Sequence, residues 1–418
     1  MFYDNPISFK EKTEWKTLPV TQIFTGNFTQ QEPLPEDAIE AAVAVMRHGR
    51  LHRYNLVGDE AGEAALLEQE FAAYIGAKYC VAVASGGYAL AAALRAAGAK
   101  VGDKVLTNAF TLAPVPGAIA QAGCDPVFVE VTDTLVMDLQ DLRAKITQSG
   151  AKILMLSHMR GHIVNMDLLM EICNLADVAV IEDCAHTMGA SWNGVPSGRH
   201  GIAGCYSTQT FKHLNSGEGG FLITDDADLA ARAIMLSGSY MLFERNGAGP
   251  DKEVFNQIKF ETPNCSGRMD NLRAAILRPQ LRNLDAQCAA WNDRYRRVED
   301  GLRDAMGIQV IERPKNEHYV MSSFQFLCPN LSKDQMIDVQ KRTAKRGVEL
   351  KWFGADQPIG FTSRHDSWAY VEAQSVPNTD RILSCLFDMR LPLTFTLEDC
   401  DLLAIIIREE VGAVFRAD

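Results

Sequence analysis

The sequence lacks several patterns that mark specialised classes of protein. Its ten cysteines are scattered from Cys80 to Cys400 without a Cys-x-x-Cys pair, which argues against a zinc ribbon and against a disulfide framework. It has no run of basic residues and no basic stretch interleaved with aromatic residues, so nucleic-acid binding has little support. Its first residues hold neither the basic stretch nor the apolar core of a signal peptide. These absences together predict a cytoplasmic protein.

A membrane span is also not indicated. One stretch of 20 residues, from Val105 to Cys124, carries no charge. It contains Pro114, Pro116 and Gly117, however, which suit a buried strand followed by a buried helix better than a helix that crosses a bilayer. We therefore predict no membrane partner.

What the sequence does contain is typical of a soluble globular protein. Its 418 residues are too many for one ordinary core, so two subdomains are expected. Hydrophobic residues make up 47% and charged residues 22%, as in soluble proteins. The balance of 41 basic and 53 acidic residues gives a net charge of −12, which indicates solubility rather than a particular partner.

The order of predicted elements indicates an α/β fold. One helix is predicted to begin at about residue 36, and an alanine-rich helix is predicted to follow residues 85–87 and to end at about 97. Further helices are predicted at 63–75, 112–122, 138–149 and 167–175. Strands are predicted at 79–84, 104–107, 126–131, 153–157 and 178–181. This alternation predicts a mostly parallel sheet covered by helices, with its ligand at the carboxyl ends of the strands.

We predict three regions along the chain. Residues 1–35 hold four prolines and little periodicity, which predicts an N-terminal arm. Residues 36–285 form the large α/β domain. Residues 286–418 alternate charged helices, such as 332–346, with short strands, such as 323–327, and form a smaller α+β domain.

The most informative segment runs from Tyr206 to Gly220. It places Lys212 ahead of a glycine-rich turn, with Ser207 five positions upstream. About 24 residues before Ser207, an apolar strand ends in Asp183, and His186 follows. A lysine amine can form a Schiff base with an aldehyde cofactor, and a carboxylate can hold the pyridine nitrogen of that cofactor protonated. The segment therefore suggests pyridoxal phosphate (PLP) chemistry.

Three motifs in this order resemble the DegT/DnrJ/EryC1/StrS family of aminotransferases. They are Glu-Asp-Cys-Ala-His at 182–186, Ser-x-x-x-x-Lys at 207–212 and Gly-Glu-Gly-Gly at 217–220. The resemblance covers residues 62–285 and returns weakly at Arg-Leu-Pro-Leu, 390–393. It implies the PLP-transferase fold type I and transfer of an amino group from glutamate or glutamine to a keto substrate. In the family this substrate is most often a nucleotide-linked keto-sugar or a keto-cyclitol.

The resemblance also implies roles for individual residues. Lys212 would carry the cofactor, Asp183 would protonate the pyridine nitrogen, and His186 would contact the ring or its phenolic oxygen. Read alone, Asp183 could be a helix cap and His186 a core histidine. No metal site is predicted.

A phosphate cradle is expected where a helix follows the strand 79–84. Glycines at the start of a helix let backbone N–H groups approach a phosphate. The resemblance implies Gly86, Gly87 and Tyr88 for this cradle, with Ser207 as a further donor. The family usually has a hydroxyl residue at the position of Gly87, so one donor is missing here.

Two further departures concern the ring clamp and the subunit interface. The family places an aromatic residue on the ring where this chain has Leu112, so either Leu112 or Phe110 is expected to cover it. The motif that reaches the cofactor of the neighbouring subunit corresponds to Asn264, Ser266 and Arg268. Arg268 is kept, whereas Ser266 stands at the position of the family's asparagine, with Asn264 two residues earlier. The resemblance therefore implies a homodimer with shared active sites.

Two other functions stay open from the sequence. A dehydratase branch of the family replaces the lysine with histidine, but here Lys212 is kept and His213 is merely its neighbour. A PLP-dependent dehydratase or lyase is therefore an alternative. A catalytically idle regulator with this fold is another, although an idle site has no need of both Asp183 and Lys212.

Overall fold

The computed structural model describes residues 22–58, 60–360 and 362–416. The greater part of the predicted N-terminal arm, residues 1–21, lies outside the described residues. Within the described part of the chain, no helix is long and apolar enough to cross a membrane. The described residues build a seven-stranded, a four-stranded and a three-stranded sheet.

The first nine strands belong to the N-terminal two thirds of the chain. They are β1 (Tyr79–Val83), β2 (Lys104–Asn108), β3 (Asp125–Val129), β4 (Ile153–Ser157), β5 (Ala179–Asp183), β6 (Ser191–Trp192), β7 (Val195–Pro196), β8 (Ala203–Ser207) and β9 (Gly220–Thr224). The seven-stranded sheet has the order β1-β9-β8-β5-β4-β2-β3, and β9 alone runs against the others. This confirms the predicted mostly parallel sheet.

Helices cover both faces of this sheet. They are α1 (Glu36–His48), α2 (Glu63–Ile75), α3 (Gly86–Ala96), α4 (Pro114–Gln121), α5 (Leu139–Ser149), α6 (Met166–Leu175), α7 (Ala227–Ser237), α8 (Lys252–Ile258) and α9 (Asn271–Arg282). Alternate strand residues point to opposite faces. Cys80 and Ala82 join the core under α2, α6 and α9, whereas Val81 and Val83 join the core under α3, α4 and α7.

The C-terminal part is an α+β layer. Its elements are α10 (Leu284–Leu302), β10 (Gln309–Val310), β11 (Glu317–His318), β12 (Ser323–Leu327), α11 (Lys333–Lys345), β13 (Lys351–Trp352), α12 (Pro377–Ser384), β14 (Leu386–Arg390) and α13 (Leu397–Phe415). The antiparallel sheet β10-β12-β14-β13 packs its apolar face against α10, α11 and α13. Strand β11 instead pairs with β6 of the larger part. The domain boundaries at 35 and 285 stay predictions.

The described end of the predicted arm packs on its own chain. The backbone N–H of Phe24 donates to the carbonyl of Arg346 at 2.9 Å. The rings of Phe24 and Phe28 lie edge-on to Phe395, with centroids 4.9 and 5.0 Å away. Aromatic burial of this kind fixes the segment on the C-terminal layer.

A buried ion pair connects the start of the chain to the large sheet. The two carboxylate oxygens of Glu68 in α2 each accept a hydrogen bond from the guanidinium of Arg53 at 2.7 Å. One of them also accepts from the backbone N–H of Ala82 in β1 at 2.7 Å. The side chains are 1% and 0% exposed, so neither charge is screened by water.

Removing one partner should therefore be costly. We expect Glu68→Gln to lower the free energy of unfolding by about 3–5 kcal/mol, because Arg53 would keep a buried charge without a counter-ion. Urea denaturation measures the free energy of unfolding of each variant. The matched control is Glu60→Gln, which breaks the partly exposed pair with Arg50 and should cost less than about 1 kcal/mol. Equal losses in both variants would contradict the assignment.

Candidate active site

A cavity of about 590 Å³ lies where the carboxyl ends of the parallel strands meet the four-stranded sheet. From the residues predicted for the site, it brings together Gly86, Gly87, Leu112, His186, Ser207 and Lys212. A deeper recess of about 70 Å³ adjoins it and is lined by Asp183 and Ser157. The strand ends thus converge as the sequence predicts.

Asp183 ends β5 and is 8% exposed. Its carboxylate accepts hydrogen bonds from the hydroxyl of Ser157 and from the backbone N–H of Ala185, each at 3.1 Å. Burial raises the pKa of Asp183, while the Ala185 N–H and the nearby Lys212 oppose that rise. A carboxylate in this position is stabilised in its charged form by a cationic N–H partner such as a pyridinium.

Lys212 lies on the turn between β8 and β9, and its Nζ is 2.8 Å from Nε2 of His186. Burial lowers the pKa of Lys212 to about 7; Asp183 opposes the shift, and Arg160 and Arg390 add to it. Burial and Lys212 also lower the pKa of His186 well below its usual range. The amine is therefore partly neutral, and able to act as a nucleophile, near pH 7.

The start of α3 faces Ser207 at the end of β8. Ser85 caps the helix, because its hydroxyl accepts from the N–H of Tyr88 at 3.0 Å. A Cβ on Gly86 would lie 2.8 Å from Cβ of Ser207, so glycine is needed for this close approach. The first N–H groups of a helix have no partner within it and favour an anion.

Tyr88 does not line the cavity with its side chain. Its hydroxyl donates to the carbonyl of Leu236 at 2.6 Å, and its ring packs on Gly267, where a Cβ would lie 2.2 Å from a ring carbon. Its N–H is used by the cap of Ser85. The predicted contact of Tyr88 with the cofactor is therefore not supported by its placement, because the ring turns towards α7.

Leu112 and Phe110, the two candidates for covering the ring, are placed differently. Leu112 is half-buried and lines both the cavity and its recess. Phe110 is fully buried, with its ring edge-on to Phe353 at 5.0 Å. Leu112 is thus the residue that faces the cavity.

The three residues predicted for a shared site lie outside the cavity of their own chain. Asn264 and Ser266 are exposed. Arg268 is half-buried, donates to His52 Nε2 at 3.2 Å and lies 5.6 Å from the ring centroid of Tyr240. The structure does not bring them to Lys212 within one chain.

Three basic residues in the cavity were not predicted. Arg160 follows β4, Lys351 begins β13 and Arg390 ends β14. Arg160 could have been found from the sequence, since it follows a predicted strand of the parallel sheet at its carboxyl end. Lys351 and Arg390 come from the other sheet. The family resemblance returns at 390–393, but it gives Arg390 no role in the site, and no local pattern shows that this sheet reaches the cavity.

One buried group among the described residues has ligand atoms close enough for a metal: His158, Glu182 and Cys184. Glu182 accepts from His158 Nε2 at 3.0 Å and from three backbone N–H groups, of Gly198, His200 and Gly201, at 2.8–2.9 Å. Both carboxylate oxygens of Glu182 therefore already accept hydrogen bonds that hold the turn after β7. We therefore interpret this group as structural.

The site fits pyridoxal phosphate. It offers a buried lysine amine for the aldehyde, a deep carboxylate for the pyridine nitrogen, and a glycine-bearing helix start for the phosphate. With the mostly parallel sheet and the C-terminal α+β layer, this defines the PLP-dependent transferases of fold type I. The chain belongs to the DegT/DnrJ/EryC1/StrS aminotransferase family, whose model matches residues 34–407. Pyridoxal phosphate is the cofactor of this family.

Two relatives show the similarity in sequence. An L-glutamine:scyllo-inosose aminotransferase of Streptomyces griseus is 35% identical over 240 residues, which is 56% of this chain and 54% of the relative. The match thus spans about half the length of that relative. A UDP-N-acetyl-3-dehydro-alpha-D-glucosamine 3-aminotransferase of Acidithiobacillus ferrooxidans is 30% identical over 308 residues, covering 71% of this chain and 78% of the relative.

A solved structure has a similar fold over almost the whole length of this chain. The crystal structure of 3-amino-5-hydroxybenzoic acid synthase superposes with a TM-score of 0.79 at 25% identity. The match covers 93% of this chain and 99% of that one. The predicted fold type is thereby confirmed.

The two glycines at the start of α3 give a matched test of the phosphate cradle. We expect Gly86→Ala to weaken PLP binding about tenfold, because the added Cβ pushes the helix away from Ser207. Gly87→Ala is the control, since its Cβ would be 3.7 Å from the nearest atom. Titration of the cofactor-free protein with PLP measures both affinities. Equal weakening would contradict the assigned cradle.

Proposed function

We propose that the protein is an aminotransferase that moves an amino group from glutamate or glutamine to a keto-sugar nucleotide or keto-cyclitol. The observation that carries this proposal is the buried amine of Lys212, which shares one cavity with Asp183 and His186. Family membership supports the reaction class. The names of the two relatives support the substrate class.

Bound PLP supplies an electron sink that stabilises negative charge on the substrate carbon after a proton is removed. Lys212 holds the cofactor and then takes up and returns that proton, which suits an amine with a pKa of about 7. Asp183 keeps the pyridine nitrogen protonated. Its hydrogen bonds from Ser157 and Ala185 fix the carboxylate for this role.

Five other residues of the cavity would hold the cofactor. The N–H groups of Gly86 and Gly87, with the hydroxyl of Ser207, would bind the phosphate. Leu112 would offer the ring an apolar contact in place of an aromatic one. His186, within hydrogen-bond distance of Lys212, would contact the cofactor beside that amine.

The placement of His213 disfavours the dehydratase alternative. Its ring is buried and turned towards Trp291, with centroids 5.0 Å apart. It lines a neighbouring cavity of about 180 Å³ but not the one that holds Gly86 and Ser207. Of these two neighbours in the chain, Lys212 and not His213 lines the cofactor cavity, as amino transfer requires.

Replacing Lys212 tests the reaction directly. Lys212→Ala should fold but lose the visible absorbance of the protein-bound cofactor. It should also lose at least about a thousandfold in the half-reaction with glutamate or glutamine, because the proton acceptor is gone. The control is Lys100→Ala, which removes an exposed lysine. Normal turnover by Lys212→Ala would refute the assignment.

We also propose that the active unit is a homodimer in which each site is completed by the partner. Asn264 and Ser266 are exposed, and the half-buried Arg268 lies 5.6 Å from the ring centroid of Tyr240, which is itself exposed and is followed by the exposed Met241. Exposed apolar side chains around an arginine are typical of an interface. A two-fold axis would bring the same surface of both chains together and complete two sites at once.

Mixing two inactive variants tests the shared sites. Hybrids of Lys212→Ala with Arg268→Ala should regain activity, because the site that keeps Lys212 receives an intact Arg268 from its partner. Lys212→Ala mixed with Asp183→Asn is the control and should stay inactive, since those two residues come from one chain. A steady-state assay after subunit exchange measures both mixtures. No recovery despite proven exchange would contradict shared sites.

A cytoplasmic location is proposed as well. All ten cysteines are free, and nine of them are buried. Thiols that remain unpaired are usual in a reducing compartment. Cell fractionation tests the location.

A further inference from the structure

The guanidinium of Arg160 is poorly paired for a buried cation that has a carboxylate beside it. Its Nη2 lies 2.8 Å from Oδ2 of Asp388, and the two side chains are 9% and 0% exposed. Within the described part of the chain, neither of these two atoms makes a hydrogen bond, and Nε of Arg160 has no partner either. An arginine and a carboxylate that are free to turn often form two parallel hydrogen bonds. The carboxylate of Asp388 is therefore held in a different orientation.

Gln325 sets that orientation. Gln325 of β12 and Asp388 of β14 lie directly opposite each other in the antiparallel sheet, and both are buried. The amide nitrogen of Gln325 donates to Oδ1 of Asp388 and to the hydroxyl oxygen of Ser323, each at 2.7 Å. Because Oδ1 is held in this way, Asp388 turns only Oδ2 towards Arg160.

The direction of the Gln325 amide is fixed from its other end. A guanidinium can only donate hydrogen bonds, so Nδ1 of His162, 2.6 Å from Nη1 of Arg313, is the acceptor of that pair. Nε2 of His162 therefore carries the proton and donates to the amide oxygen of Gln325 at 3.0 Å. Burial and Arg313 lower the pKa of His162 well below its usual range, so the ring stays neutral. The amide nitrogen of Gln325 must then face Asp388.

Arg313 is itself attached to the loop that carries Arg160. Its Nη2 donates to the carbonyl of Gly161 and to the carboxylate of Glu317, each at 2.7 Å. Arg160 adopts a left-handed backbone with φ of 56°, and such strain at a non-glycine residue is most often found at functional sites. The series of contacts from Arg313 through His162 and Gln325 to Asp388 thus begins and ends on one loop of the active site.

From this arrangement, and resting on the proposed aminotransferase function, we propose that Gln325 is a positioning residue for the amino donor. Arg160 lines the cavity, and glutamate or glutamine brings a carboxylate to it. By holding Oδ1 of Asp388, Gln325 prevents Asp388 from forming a two-point pair with Arg160. The guanidinium stays available to the donor, and Asp388 remains a counter-ion that the donor does not have to displace.

Removing the amide of Gln325 tests this role. In Gln325→Met, Asp388 is free to turn both oxygens towards Arg160, so an anionic ligand must compete with it. Calorimetry with the holoenzyme measures the Kd of glutarate, an unreactive analogue of the donor that lacks its amine. This Kd should rise at least about tenfold in Gln325→Met, and by at least as much in Arg160→Gln.

The matched control is the same substitution at another glutamine. Gln374 makes two hydrogen bonds of 2.8 Å, with the backbone of Phe128 and Pro126, and does not line the cavity. Gln374→Met should lower the Tm, as Gln325→Met should, because each variant loses hydrogen bonds within the fold. It should nevertheless leave the Kd of glutarate unchanged, which shows that a weaker fold alone does not impair binding.

A second substitution separates competition by Asp388 from general damage. Gln325→Met combined with Asp388→Asn should bind glutarate to within about threefold of the wild-type protein, because no carboxylate remains to pair with Arg160. A structural defect would instead add to the loss. The proposal is overturned by a wild-type Kd in Gln325→Met or in Arg160→Gln, by a double variant that binds no better than Gln325→Met, or by a wild-type protein that does not bind glutarate.

The half-reaction with the donor separates this role from the reaction class. With glutamate or glutamine, Gln325→Met should raise the donor concentration at half-maximal rate at least about tenfold and keep the saturating rate constant within about twofold. A lower saturating rate at an unchanged half-saturating concentration would contradict a positioning role. If the wild-type holoenzyme reacts with neither donor, the aminotransferase function is overturned, and the binding of glutarate decides whether Gln325 keeps Arg160 available.

Discussion

The active site depends on the position of the carboxylate of Asp183 at the end of β5. This carboxylate is buried, and its charge opposes the lowering of the Lys212 pKa that burial causes. Its position is set by strand register, because Ser157 of β4 lies directly opposite and donates to it. Asn108 of β2 in turn holds Ser157 through two backbone contacts of 3.0 Å. Three adjacent strands thus fix one carboxylate, as a preorganised site requires.

Charged residues in the fold and in the site follow opposite rules. Away from the cavity, a buried charge is paired, as Arg53 is with both oxygens of Glu68. In the cavity, Arg390 has an aromatic ring beneath it and Arg160 has a carboxylate at poor geometry. Both cations thus keep N–H groups that an anionic ligand can use, which the paired Arg53 does not.

The sequence allowed most of the large domain to be predicted, since its elements depend on local patterns. Helix 63–75 and strands 153–157 and 323–327 have the predicted bounds. The strand predicted to end at 131 ends at Val129, because Val131 pairs with Met137 in an isolated bridge. Asp183, His186 and Lys212 meet as expected because their motifs follow strands of one parallel sheet. The cations from the other sheet, and the turn of Tyr88 away from the cavity, depend on tertiary packing that no local pattern shows.

The charged residues of the cavity act on the amine of Lys212 in opposite directions. Burial, with Arg160 and Arg390 adding to its effect, lowers the pKa of Lys212 to about 7, whereas Asp183 opposes the shift. An anion placed beside the two arginines would weaken their effect on this pKa. Because such coupling is reciprocal, a protonated Lys212 would in turn favour the anion. The two arginines and Asp183 thus set the charge of the one amine on which the proposed chemistry depends.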